Sequence, residues 1–232
     1  MTGPQLAGLA ARYGLDAVQI SQFETILRTL EGDEHAPTAV RSATRALDIH
    51  LADSLVALEL DQIATSATIA DIGAGAGFPG LPLAVALPAA RMALVESQRR
   101  KCDFLTGIAS AAGVENTTVV CARAEDWREG LDSNDVVVAR ALAPQPVVLE
   151  YAAPLLRLGG SLVDWRGRRD ADEEAVALRA AESLGLQLVE IRRVEPFAGA
   201  TDRHLHAFSK VSATPERFPR RAGMARKRPL GG

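Results

Sequence analysis

A Rossmann-like α/β fold is what the sequence predicts: a mostly parallel seven-stranded sheet with an antiparallel edge strand, plus an N-terminal helical cap. Three observations carry this expectation. From Thr68 onward, seven short apolar runs alternate with helical stretches, which marks a parallel sheet covered on both faces. The last two runs have no helix between them, so they should form an antiparallel pair at one edge. The first sixty residues show helical spacing and no strand pattern. The expected organisation is a cap over 1–60, an α/β domain over 61–211 and a basic tail over 212–232.

The cap opens with a short helix over Leu6–Tyr13. Ala17–Leu30 places Ile20, Phe23, Ile26, Leu27 and Leu30 at helical spacing behind Asp16, a suitable N-cap. Glu31–Pro37 is a loop by composition. Ser42–Leu60 reads as helix with a break near Asp53–Ser54. In the α/β part, Thr68–Ile72 is the first strand, and Pro79–Leu87 a helix with proline in its first turn. Arg91–Glu96 is a strand, followed by a helix over Gln98–Ala112, capped by Ser97 and ended by Gly113. Thr117–Cys121 and Asp135–Ala139 are strands; Pro146–Leu156 is a helix. Gly160–Trp165 is a strand, Asp172–Ser183 a helix, and Gln187–Val194 and His204–Val211 close the sheet.

Composition narrows the class. With 232 residues, 47% hydrophobic, the chain buries enough surface to fold without disulfide or metal. Cys102 and Cys121 make neither a disulfide framework nor a four-ligand zinc site; both read as small core residues. No apolar run approaches the ~18 residues of a membrane span. The N-terminus lacks a basic region followed by an apolar stretch, so a cytoplasmic protein off the membrane is expected. Residues 211–232 hold six basic side chains and one acid, a net +5 that leaves −8 on the rest of a chain totalling −3. Such a tail fits a polyanionic partner, or a solvated terminus. Because 23 of the 26 basic residues are arginine, compositional bias weakens any inference from one arginine alone.

The sharpest motif is Asp71-Ile72-Gly73-Ala74-Gly75-Ala76-Gly77-Phe78-Pro79-Gly80, between the first strand and its helix. Its glycines allow a sharp turn and a close approach of backbone to ligand. The spacing is G-x-G-x-G, not the G-x-G-x-x-G of dinucleotide folds. The next strand ends in Glu96, where a carboxylate accepts from both hydroxyls of a ribose. Loop, acid and strand order together form the S-adenosylmethionine pattern of class I methyltransferases, with a nicotinamide cofactor or plain strand–helix packing as competing readings. After the third strand, Glu125 and Asp126 stand where an acid meets an adenine amine, or merely begins a helix. The fourth strand ends in Arg140-Ala141. It lacks the Asn/Asp-Pro-Pro-Tyr turn of enzymes that methylate exocyclic amines, and neither cysteine has the proline neighbour of a cytosine-C5 nucleophile. A nucleophile that needs no deprotonation fits this position.

Taken jointly, these residues resemble the RsmG (GidB) family of 16S ribosomal RNA guanine-N7 methyltransferases. The matching stretches are His50-Leu51-Ala52-Asp53-Ser54-Leu55, Asp71 to Pro82, Arg100-Lys101-Cys102-Asp103-Phe104-Leu105, Arg123-Ala124-Glu125, Arg140-Ala141, Asp202-Arg203-His204-Leu205, and Thr214 to Gly223. The resemblance runs from about Thr38 into the tail. It implies S-adenosyl-L-methionine as cofactor, held by Gly73, Gly75, Gly77, Phe78, Glu96, Ala124, Glu125 and Arg140, with His50, Asp53 and Ser54 closing the pocket from the cap. It implies Arg123, Arg140 and Arg166 as catalytic candidates in one basic cleft. It also implies Arg166, Arg168, Arg169, Arg203, His204, Arg217, Arg220 and Arg221 as the grip on 16S ribosomal RNA or the small ribosomal subunit, by a monomer and without a metal. Two departures stand out: Ala36-Pro37-Thr38 replaces the family's Asn-Leu-Thr, and Arg166-Gly167 replaces Lys-Gly. Arginine keeps the charge but changes the donor geometry. A methyltransferase for another RNA or a small molecule, and a non-catalytic cofactor-binding RNA module, are the alternative readings.

Overall fold

The computed structural model describes residues 3–40 and 42–232. Seven strands form one sheet: β1 (Thr68–Ile72), β2 (Arg91–Glu96), β3 (Thr117–Cys121), β4 (Asn134–Arg140), β5 (Leu156–Arg166), β6 (Leu186–Arg193) and β7 (His204–Lys210). Their order is β3-β2-β1-β4-β5-β7-β6. The first five strands pair in parallel, and β7 lies antiparallel between β5 and β6. The antiparallel pair therefore sits at one edge, as its missing crossover helix required. The strand order reverses between β1 and β4, which opens the switch-point crevice where open α/β sheets bind ligands.

Two apolar layers cover the sheet. One joins Phe23, Ile26 and Leu30 of the cap to Leu81, Leu83, Leu105 and Ile108. The other joins Val147 and Val148 on helix Gln145–Ala152 to Ala177, Ala180 and Ala181 on helix Ala171–Ser183. The small side chains of the second layer let those helices sit close to the strands. The cap helix Ala17–Gly32 starts at Asp16, whose side chain accepts from Gln19 N–H while Gln19 returns the bond, a reciprocal capping box.

The expected long helix over 42–60 is broken into short turns. Ala43–Ala46 is α-helical, Leu47–Ala52 is a π-helix, Asp53–Leu55 returns to α, and Val56–Glu59 is a 3₁₀ turn. Wide π-turns of this kind gather at functional sites. Here it delivers His50 and Asp53 to the sheet.

Three expectations are corrected. Ser97 does not cap helix Arg99–Ala111; Gln98 holds that position, and its N–H is taken by the Glu96 carboxylate at 2.8 Å. Cys102 is buried but Cys121 is exposed, because β3 is an edge strand. Segment 212–232 is not a free tail. Phe218 and Ala225 are buried in the second apolar layer, and Gly231 O accepts from Arg179 at 2.8 Å.

Candidate functional site

Two cavities flank the carboxyl ends of β1 and β4. The first, about 530 Å³, is lined by Gly73, Glu96, Arg123, Ala124 and Glu125 among others. Gly73 has φ +73°, and a Cβ there would lie 2.5 Å from Leu142 Cδ1, so only glycine fits. Glu96 is buried at the end of β2. Gly75 N–H donates to its Oε2 at 3.1 Å and Gln98 N–H to its Oε1 at 2.8 Å. These two backbone donors fix the carboxylate against the wall while leaving further lone pairs free to accept. Glu125, also buried, accepts from Gly223 N–H at 2.9 Å.

Gly75, Gly77 and Phe78 do not line this cavity. Gly75 acts through Glu96, and the Gly77 backbone packs against Leu81 and Leu105. Below the loop, Asp71 accepts from Gly80 N–H at 2.8 Å, while its other oxygen is buried without a partner. Burial pushes the Asp71 carboxyl up to about 7, against the opposing pull of the Gly80 N–H.

The second cavity, about 460 Å³, is lined by His50, Asp53, Arg140, Trp165, Arg166 and Arg203 among others. Arg140 organises it. Its Nη1 donates to Asp53 Oδ2 at 2.7 Å and to Ile49 O at 3.1 Å; its Nη2 lies 3.4 Å from His50 Nδ1. Arg203 approaches the other Asp53 oxygen at 3.4 Å, an ion pair without hydrogen-bond geometry. Trp165 Nε1 donates to the Asp53 backbone carbonyl at 2.7 Å. His50 stacks on Phe78 with centroids 4.4 Å apart, and the Arg140 guanidinium lies 5.8 Å from the same ring.

Burial and the neighbouring Arg140 hold the His50 imidazole down near 4, so it is neutral at pH 7. A guanidinium only donates, so Nδ1 accepts and the ring proton sits on Nε2, 2.9 Å from Thr38 Oγ1. Thr38, the one residue of the family's Asn-Leu-Thr kept here, thus orients His50.

The expected single basic cleft is divided. Arg123 lines the first cavity and Arg140 the second. Ala141, at φ +54°, lines both. His50 and Asp53 meet Arg140 rather than Glu96. Ser54 reaches neither cavity; its hydroxyl donates to His50 O at 2.6 Å.

The proposed RNA grip also divides. Arg166 lines the second cavity and donates to Ala143 O at 3.0 Å. Arg168 is exposed. Arg169 is held by both oxygens of Glu174 at 2.7 Å, and His204 Nδ1 lies 2.9 Å from Gly167 O. Arg220 pairs with buried Glu150, leaving Arg217 and Arg221 as the exposed members of the tail set. Sequence reasoning missed Tyr151 and Arg226, which line the first cavity, and Trp165, which braces Asp53. A tryptophan ending a central strand and an arginine beside Gly223 were the available signals. Among the described residues, no group of His, Cys, Asp and Glu is arranged to hold a metal ion, and no helix is long and apolar enough to cross a membrane.

Comparison with known proteins agrees with this fold. The fold resembles mitomycin 7-O-methyltransferase MmcR at a TM-score of 0.59 and 16% identity, covering 72% of this chain and 55% of that one. It also resembles the M. jannaschii TYW2 structure in complex with AdoMet, at a TM-score of 0.50 and 16% identity, over 67% and 74% of the two chains. Ribosomal RNA small subunit methyltransferase G of Carboxydothermus hydrogenoformans is 34% identical over 227 residues, covering 95% of this chain and 96% of its own. The protein of the same name from Chloroflexus aggregans is 38% identical over 219 residues, covering 91% and 90%. A model of the GidB family, rRNA small subunit methyltransferase G, matches residues 18–206, and the chain belongs to that family.

Proposed function

We propose that the protein transfers a methyl group from S-adenosylmethionine to N7 of a guanine in 16S ribosomal RNA. The residues fit the cofactor. Gly73, in its left-handed conformation, turns the backbone along the cavity wall, Glu96 offers buried acceptors to a ribose diol, and Glu125 with Ala124 borders the room for an adenine. When bound, the cofactor supplies an electrophilic methyl group on a sulfonium.

The observation that carries the N7 reading is the second cavity's lack of a free base. Both ring nitrogens of His50 are engaged, and Asp53 is paired with Arg140 and flanked by Arg203. Guanine N7 carries an exposed lone pair and needs no proton removed. The chain's work is then positioning. Arg140 and Arg166 donate toward the base and its phosphates, Ala141 separates the two cavities, and the His50–Phe78 stack closes the cap side. Arg123 and the exposed Arg168, Arg217 and Arg221 supply positive charge for the RNA backbone. Action as a monomer in the cytoplasm, where ribosomal subunits are made, belongs to the same proposal.

Single-turnover transfer to 16S RNA from cells lacking the gene, with mass mapping of the product, tests this. The expected result is one added methyl at a guanine N7. The rate should change less than about threefold from pH 6 to 9, since no base titrates. Arg123→Ala should lower the rate on the order of 10²-fold. A rate climbing tenfold per pH unit would overturn the base-free mechanism.

A further inference from the structure

A third cavity, about 380 Å³, adjoins the second, with Arg166 and Gly167 lining both. Methyl transfer as derived above makes no use of it. Much of the surface it presents is apolar, with Pro144 and Pro146 after β4, Val176 on helix Ala171–Ser183, and Pro229 among its walls. Arg168 also lines it.

His206 on β7 also lines the cavity and is 3% exposed. Gln145 Nε2 lies 3.1 Å from both Asp164 Oδ2 and His206 Nδ1. An amide nitrogen only donates, so Nδ1 accepts and the ring proton is on Nε2. That N–H is buried with no partner. Buried donors without acceptors are rare, and one in the wall of a cavity marks a place for a ligand acceptor.

Charge says what kind of ligand. Asp170, Asp172, Glu173 and Glu174 line the cavity with Arg166, Arg168 and Arg169, so no net positive field develops. Glu174 occupies Arg169, and Asp170 caps the first N–H groups of its own helix. An anion is disfavoured there; a neutral flat ring bearing an acceptor is favoured. We propose that this cavity holds an unstacked nucleobase of the RNA, adjacent to the guanine in the second cavity. His206 Nε2–H donates to a ring nitrogen or carbonyl of that base, and the prolines cover its faces. Sequence-specific RNA recognition commonly splays bases into such pockets. The inference rests on the RNA reading only for the polymer that carries the base.

The test uses the full chain with ¹⁵N-labelled histidine, saturated with S-adenosylhomocysteine. It is titrated with each ribonucleoside 5′-monophosphate and, separately, with inorganic phosphate. At least one nucleotide should move the His206 ring signals, and phosphate should not. Val176→Trp, which fills the cavity from a half-buried position, should abolish the shift and leave cofactor affinity unchanged. His206→Phe should raise KM for 16S RNA about tenfold with kcat nearly constant. A shift confined to His50, or one produced by phosphate alone, would overturn the assignment. So would a His206 shift that persists in Val176→Trp. The nucleotide titration does not depend on methyl transfer, so its failure is distinguishable from failure of the enzymatic reading.

Discussion

Replacing Arg140 by methionine removes the group that ties the cap to the sheet. Arg140 is 16% exposed and Asp53 7%, so the pair is largely out of water. The substitution deletes hydrogen bonds to Asp53 Oδ2, Ile49 O and His50 Nδ1 and leaves Asp53 facing only Arg203 at 3.4 Å. Orphaning a buried charge costs about 3–5 kcal/mol. Arg203, 40% exposed and still nearby, places this case near the lower end. A loss of about 3 kcal/mol lowers Tm by roughly 6–12 °C in a chain of this size. Removing the second charge as well, with Asp53→Leu added to Arg140→Met, should return stability to within about 1 kcal/mol of the parent, because neither charge is then buried alone. Urea denaturation followed by circular dichroism measures the global change. Trp165 fluorescence reports the local one, since its Nε1 donates to the Asp53 backbone. Both variants should be inactive in methyl transfer. A double variant as unstable as the single one would refute the reasoning, since the loss would then not come from an orphaned carboxylate.

Three other perturbations are informative. Glu96→Ala should weaken S-adenosylmethionine binding about 10²-fold in calorimetric titration, the effect of losing one to two charge-assisted hydrogen bonds; an unchanged Kd would place the cofactor elsewhere. Truncation after Ala213 should lower both Tm and cofactor affinity, because it removes the Phe218 anchor, the Gly223 donor to Glu125 and the Arg226 wall; differential scanning calorimetry with and without cofactor reads both. Asp71 holds its proton to about 7 in the folded chain against 3.8 when unfolded. Its contribution is therefore fully present below pH 3.8 and is lost as pH rises through 7. Asp71→Asn should flatten the fall in unfolding free energy between pH 5 and 7 by up to about 1.4 kcal/mol per pH unit; an unchanged slope would assign the fall to other groups, such as buried Asp164.

All seven strands were legible to within a few residues: the central parallel ones as continuous runs of Val, Ala, Ile and Leu, the edge and antiparallel ones as short apolar-rich runs between turns. The break at Asp53–Ser54 was legible as polar residues inside an apolar pattern, though its π-turn was not. The division between Arg123 and Arg140 was hidden because strand ends say nothing about lateral distance. In the observed order, β2 and β1 stand between β3 and β4, which at about 4.8 Å per strand sets the two ends roughly 14 Å apart. The exposure of Cys121 was hidden for a related reason: an apolar run does not announce that it will lie at an edge. In the tail, charge is the conspicuous signal. Phe218 and Ala225, two small apolar signals among six cations, decided its placement instead.

The contact between Gly223 and Glu125 also orders events in time. Gly223 is made after every strand of the sheet, yet its N–H and the neighbouring Arg226 finish the wall of the first cavity. A chain still being synthesised can assemble the sheet and all but the last contacts of its two apolar layers, such as Ala225, from residues already made. Its cofactor cavity stays incomplete until the segment beyond Gly223 has emerged and docked. Cofactor capture therefore reports that synthesis has passed this point, and nascent chains stalled before it carry the fold without the finished cavity.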